Sequence, residues 1–352
     1  MNKNQKNGSQ PADPPHPSEK EITAVAEYWA RTCFITLGWI NDFNKIIAKY
    51  VLLFYYNSFG RYYKQSKVIE GHPVGVMTVN FSPDGTKFVA SLWNERILIY
   101  DVASGKEIRS LIGHSNLVNG AEFSPDGNMI LSCSNDKTIR LWHTKSGREL
   151  RTLHVYSYVT SAQFSRDGHF FVSTSYDQTI RLWDVESERT IKKIQTQPNT
   201  IIDAHLSVDN QLIVAASNEK VIVIWNAQSG ERIMELNGHT DDVVRVKFSP
   251  DNLSVVSCSH DKSIRIWDML SGKEIKKLEG HTNWVRDIKI SNDGQTIVSC
   301  SDDGTVRVWD LKSGLPIQRL NGHFNWVRGV AISSDSKCIV SCSNDKTIRI
   351  WA

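Results

Sequence analysis

The sequence contains no apolar run long enough to cross a membrane. The longest uncharged stretch near the N-terminus, Tyr50–Gly60, spans 11 residues, whereas a spanning helix needs about 20. The opening residues, MNKNQKNGSQPADPPHPSEK, lack the apolar segment of a secretory signal. Cysteine is scarce: Cys33, Cys133, Cys258, Cys300, Cys338 and Cys342 include no Cys-x-x-Cys, and no His or Cys pair accompanies Cys338 and Cys342. A zinc site has no support, no metal or cofactor is expected, and reduced thiols in the cytoplasm and/or nucleus are the natural reading. With 21 Gly and 10 Pro in 352 residues, collagen-like and low-complexity classes are excluded. Charge of one sign is also missing. Lys and Arg number 41 against 38 Asp and Glu, a balance too even for a dedicated polyanion binder, so nucleic acid is not an expected partner.

What the sequence has in excess is tryptophan, 11 residues, each with a bulky ring and an N–H that need a home. Their spacing is regular. Runs of β-branched residues end on an aromatic at Tyr100, Trp142, Trp183, Trp225, Trp267, Trp309 and Trp351, with gaps of 42, 41, 42, 42, 42 and 42 residues. Gly-His pairs end at His72, His114, His239, His281 and His323, each 28 residues before its aromatic. A repeat at fixed period is the primary signal of a repeat architecture. Within the copy ending at Trp142, the apolar runs Leu117–Phe123, Met129–Ser132, Thr138–Trp142 and Glu149–Leu153 are separated by turn residues. Four strands in 42 residues leave no room for a helix, and such a unit must stack on its neighbours to bury its faces.

The combination of Gly-His, a Ser-Pro-Asp-Gly-like turn, Ser-x-Ser-x-Asp and Trp-Asp resembles the WD40-repeat family over about residues 66–352. The resemblance implies an all-β, seven-bladed WD40 propeller of four-stranded antiparallel blades, over residues 65–352, and the apolar spacing ahead of it adds a short helical extension. The resemblance also implies ring closure by the segment Gln65–Glu70, since the last copy ends one residue after its third strand. Deleting either end is expected to open the ring.

In this family a His, a Ser, an Asp and the Trp form a hydrogen-bonded structural tetrad. Counted back from the Trp at 28, 10 and 6, four copies carry the full set. The second copy has His114, Ser132, Asp136 and Trp142, and the fifth has His239, Ser257, Asp261 and Trp267. The sixth has His281, Ser299, Asp303 and Trp309, and the seventh has His323, Ser341, Asp345 and Trp351. A Ser-His-Asp set invites a hydrolase reading, but no enzyme needs four copies, and no Gly-x-Ser-x-Gly elbow is present. The chain is therefore expected to be a non-enzyme. The third copy has His154 one residue out of register, and the fourth has Gln197, Ala215 and Glu219 at the polar positions. These two blades are expected to be the least rigid.

Family members usually bind peptides or domains on the face of the Gly-His loops. Carried onto this sequence, that face holds Met77, Trp93, Leu117, Tyr158, Tyr176, Ile202, His260, Trp284, Arg286, Trp326 and Arg328. The sixth and seventh copies both read Asn-Trp-Val-Arg, and Trp93 neighbours them once the ring closes. Trp, Tyr and Arg are the usual anchors of interfaces. The Arg pair is suited to a carboxylate or phosphate, and the Trp faces to an aliphatic or cationic group.

Ahead of the repeats, residues 1–18 read as a disordered tail and residues 19–60 as an amphipathic helical hairpin. The hairpin's apolar stripes run through Ile22, Val25, Trp29 and Cys33 and then Phe43, Ile46, Ile47, Tyr50 and Phe54. It is expected to dock on the ring, self-associate or bind a partner, with contact at a membrane surface a remote alternative. The expected function is a non-catalytic scaffold or adaptor for proteins or peptides. A chromatin or histone-tail reader and a ubiquitin-ligase substrate receptor remain alternatives.

Overall fold

The computed structural model describes residues 62–196 and 200–352. The expected tail and helical hairpin lie outside the described residues, as does Gln197. Within those residues every regular element is a strand, and the strands form seven four-stranded sheets. Blade two is representative, with strands Val118–Phe123, Met129–Ser134, Thr138–His143 and Glu149–His154 paired antiparallel in chain order. The sequence marks its turns. Ser124 Oγ donates to Asp126 Oδ1 at 2.5 Å and accepts from Met129 N at 2.9 Å, while Gly127 takes φ +73°. That conformation is costly for a residue with a Cβ.

Burial follows position in the blade. The second strand of every blade is shut off from solvent over almost its whole length, whereas outer strands such as Glu149–His154 are largely exposed. Inner strands are covered on both sides because the blades pack face to face. Seven apolar clusters each draw from two neighbouring blades, and one of them joins Phe88 and Tyr100 of blade one to Val340 and Ile350 of blade seven.

The seam between the chain's two ends is closed as the repeats imply. Gln65–Ile69 pairs antiparallel with Ile348–Trp351 to complete blade seven. The pairing runs further than the expected strand: Lys64 and Ala352 exchange backbone hydrogen bonds of 2.9 and 3.0 Å. Tyr63, not singled out by the repeats, is buried between blades six and seven, where its hydroxyl donates to Ser336 O at 2.7 Å and Gln318 holds its backbone.

A second regularity decides what the inner strands present. In all seven blades the register between first and second strands slips by one residue, at Met77, Asn119, Thr160, Ile202, Val244, Arg286 and Arg328. A bulge leaves its extra residue unpaired and re-aims the side chain. These seven residues each follow the Val, or Ile201 in blade four, that opens the first strand of their blade.

Candidate interaction face

The four full tetrads are assembled as the spacing implies. In blade two, Trp142 Nε1 donates to Ser132 Oγ at 2.8 Å, Ser132 Oγ meets His114 Nε2 at 2.8 Å, and His114 Nδ1 meets Asp136 Oδ2 at 2.7 Å. An indole N–H can only donate, so the Ser proton is free to go to Nε2, which leaves Nδ1–H for the carboxylate. The chain of contacts recurs in blades five, six and seven. Trp267, Trp309 and Trp351 donate to Ser257, Ser299 and Ser341 Oγ at 2.8, 2.8 and 2.9 Å. Those three hydroxyls each meet the Nε2 of His239, His281 and His323 at 2.8 Å. Ser257, Ser299 and Ser341 are fully buried, so each is held as a structural relay with no access for a substrate.

Asp136 also accepts from Ser115 N, Thr138 N and Thr138 Oγ1, at 3.1, 2.9 and 2.6 Å. It thereby ties the Gly-His loop to the turn between the second and third strands. Asp261 repeats this with Thr240 and Ser263, Asp303 with Thr282 and Thr305, and Asp345 with Phe324 and Thr347. Each network is buried and satisfied, which is the condition under which buried polar groups rigidify a core.

Two titrations follow from this burial. Burial lowers His239, His281 and His323 below the ordinary 6.5, against the pull of their carboxylate partners. Burial also opposes ionisation of Asp136, Asp261, Asp303 and Asp345, but hydrogen bonds from His, Thr or Ser and backbone N–H outweigh it and hold them far below the usual 3.8. Both shifts mean the folded state binds fewer protons than the unfolded one, so stability is complete above pH 6.5 and falls as pH drops. Melting temperatures read by circular dichroism should fall from pH 7 to pH 5 as the imidazoles lose their advantage, then more steeply below 3.8. A flat profile between pH 7 and pH 4 would contradict this.

The other three blades depart in instructive ways. In blade one, Tyr100 reaches His72 directly, with its hydroxyl 2.8 Å from Nε2, while Nδ1–H goes to Lys346 O at 2.9 Å. In blade three, His154 is exposed at the end of its strand, and Val155 takes the tetrad position inside the apolar cluster. Trp183 still donates to Ser173 Oγ at 2.8 Å, and Asp177 turns to Arg181 Nη2 at 2.6 Å. In blade four, Ala215 offers no acceptor, and the Trp225 indole N–H is buried without a partner among the described residues.

On the face carried by these loops, Trp93, Trp284 and Trp326 stand 43%, 41% and 42% exposed. Tyr158 and Tyr176, also exposed, meet edge to face at 6.1 Å. Met77, Leu117, Ile202, His260, Arg286 and Arg328 are half-buried, and Ile202 packs beside Val244 against the seam of blades five and six. The structure brings the Trp and Arg residues into two clusters. In the first, Trp284 stacks on His260 at 4.2 Å between ring centres, and the Arg286 guanidinium lies 4.8 Å from the Trp284 ring. Arg286 grips Asp302 with two hydrogen bonds of 2.9 and 2.6 Å and reaches His260 Nε2 at 3.0 Å. In the second, Arg328 lies 4.8 Å from the Trp93 ring and 4.9 Å from the Trp326 ring, with Nε donating to Asn344 Oδ1 at 3.1 Å.

Two expectations are corrected by this geometry. Arg286 and Arg328 do not form a pair of free cations, because Asp302 neutralises Arg286. Nor are the Trp faces open to an incoming cation from every side, since the chain's own Arg and His side chains lie against them. Three features escaped the sequence reading. Phe324, 90% exposed, stands where other Gly-His loops have Ser115, Thr240 and Thr282. The contrast between Asp302 and Asn344 governs the two arginines. The inner strands also carry polar groups at one repeat position, among them Asn80, Gln163, Lys247 and Lys289. There Lys247 Nζ donates to Gln163 at 2.6 Å and Lys289 Nζ to Asn80 at 2.9 Å. Burial, then Lys289, pushes Lys247 down to about 8. The 42-residue period was the signal for this ring.

The cysteines at the repeated position nine residues before the Trp are all buried thiols: Cys133, Cys258, Cys300 and Cys342. Burial raises each of them, Cys133 to about 12, so they stay protonated and unreactive. Cys133 and Cys342 lie across from Gly120 and Gly329, where a Cβ would come within 3.4 and 3.1 Å of the sulfur. At Gly329 a side chain would crowd both that thiol and the backbone of Met77 and Thr78.

Against known families, the model described as "WD domain, G-beta repeat" matches residues 63–101, 105–143, 147–184, 230–268, 272–310 and 314–352. The unmatched stretch between the third and fourth segments contains the inner strands of blade four, whose tetrad is lost. Comparison with curated proteins gives no match.

Proposed function

Because the chain belongs to the WD-repeat family, whose propellers generally bind proteins or peptides and are generally non-catalytic, we propose that it is a non-catalytic scaffold that gathers protein partners on its Gly-His-loop face. One observation carries this reading. Three Trp and two Tyr side chains stand exposed on that face, and the loops beneath the Trp-Arg pairs are fixed by buried tetrads. Large aromatics held rigidly at a surface are the residues that dominate interface energetics, because little conformational freedom is lost when a partner covers them. Free buried thiols suit a reducing compartment, the cytoplasm or nucleus.

The test is a quantitative pull-down with the full-length chain as bait, compared with Trp284→Ala/Trp326→Ala. Both residues are substantially exposed, so the variant should fold. Loss of a hot-spot side chain weakens binding by roughly 30-fold or more, so the partners of the wild-type bait should fall to background. An unchanged partner list would overturn the assignment of this face.

A further inference from the structure

We propose that Arg328, held against Trp93 and Trp326, is the receptor for a single carboxylate on an acidic peptide segment. This rests on the interaction face assigned above and names its partner chemistry. The argument begins with two copies of one motif that end in different electrostatic states. Both Arg286 and Arg328 occupy the extra position of a bulge and follow Trp-Val. Sixteen residues further on, blade six has Asp302 and blade seven has Asn344. Asp302 takes Arg286 with both carboxylate oxygens. Asn344 offers Arg328 one amide oxygen and no charge.

Among the described residues, no carboxylate lies within ion-pair distance of Arg328. The nearby Asp302 attracts it only from further away, and burial with Arg286 close by disfavours its charge. Arg328 is thus a half-buried cation whose compensation is incomplete. Its position is nevertheless fixed, with two indoles against it and Nε tied down. Gly75 closes the same corner: a Cβ there would come within 3.1 Å of Asn344 Oδ1.

These features select the ligand. A guanidinium fork already oriented matches the two oxygens of a carboxylate, and a charge-assisted pair in a partly desolvated site is strong. One unpaired cation calls for one negative charge rather than the two of a phosphate. The two indoles, exposed at 43% and 42%, favour apolar or aromatic neighbours of the acidic residue. A basic tail is repelled. The two halves of the clamp come from blade one and blade seven, so the site exists only when the ring is closed.

The test is a selection of random 12-residue peptides displayed on phage against the full-length chain. Selected sequences are then measured as fluorescein-labelled synthetic peptides. The expected result is an Asp or Glu beside an aromatic or aliphatic residue, in peptides that no longer bind Trp326→Ala. Replacing that Glu by Gln in the peptide should weaken binding roughly 10- to 100-fold, and Asn344→Asp should do the same by giving Arg328 the internal partner that Arg286 already has. The peptide-side change leaves the protein's folding untouched, and a melting curve checks Asn344→Asp. Peptides that need Trp326 but lack an acidic residue, or that ignore Asn344→Asp, overturn the carboxylate clamp and leave the interaction face standing. Recovery of no peptide, or only of peptides indifferent to Trp284→Ala and Trp326→Ala, overturns both.

Discussion

Deleting Gln65–Ile69 is expected to lower the melting temperature by about 10–20 °C, the shift produced by a loss on the order of 5 kcal/mol in a domain of this size. Three losses add up. The antiparallel bonds to Ile348–Trp351 go, each worth roughly 1 kcal/mol net. Tyr63, 3% exposed in the seam of blades six and seven, is displaced with the segment, at about 2 kcal/mol for a large buried side chain. The strand Ile348–Trp351 then becomes a free edge with unpaired backbone groups. Blade seven keeps its packing on blade one through Val340, Cys342 and Ile350, so the ring loosens at this seam while the other blades persist. The exposed edge should seek a partner, giving association that grows with protein concentration. Differential scanning calorimetry and light scattering read the two effects. A melting temperature within about 2 °C of the parent would mean that blade packing alone closes the ring.

The same seam explains which features can be read from the sequence. The tetrads repeat at fixed spacing, because a buried Trp N–H, a Ser, a His and an Asp must each find the next, and the blade fixes where they stand. Ser299 and Ser341 were legible because the family resemblance implies a tetrad Ser ten residues before each Trp. The loss of His154 from its tetrad was visible as a slip of one residue. Its outcome was not, because alternation along the strand sends His154 outward and puts Val155 in the pocket. The site was half legible. Asn-Trp-Val-Arg located two clusters, yet what distinguishes them is a residue sixteen positions later, in the turn after the next strand, met by an arginine that a bulge re-aims. Short-range pattern names the side chains on a face, whereas pairing across strands decides which of them keep a free charge. Tyr63 escaped for a related reason: it lies outside the repeat, and its pocket is formed by blades far away in sequence.

Ser257→Ala and Ala215→Ser should shift stability in opposite directions, the first strongly. In blade five, Ser257 is fully buried and accepts from Trp267 Nε1 at 2.8 Å while meeting His239 Nε2 at 2.8 Å. Removing its oxygen leaves two buried polar groups without partners, at about 1–3 kcal/mol each. The melting temperature should fall by about 5–15 °C at the usual conversion. In blade four the same position is Ala215, also fully buried, and the indole of Trp225 has no acceptor among the described residues. A Ser there gives Trp225 N–H its acceptor and should gain on the order of 1 kcal/mol. The gain stays smaller than the loss because blade four has no His at the tetrad position to take the new hydroxyl proton. Hydrogen exchange should report the same order blade by blade: fastest opening in blade four, slowest in blades five to seven, and slower exchange in blade four once Ala215→Ser is made. Uniform protection across the blades, or variants that move the melting temperature the same way, would mean that apolar packing between blades carries the stability and the tetrads only orient the loops.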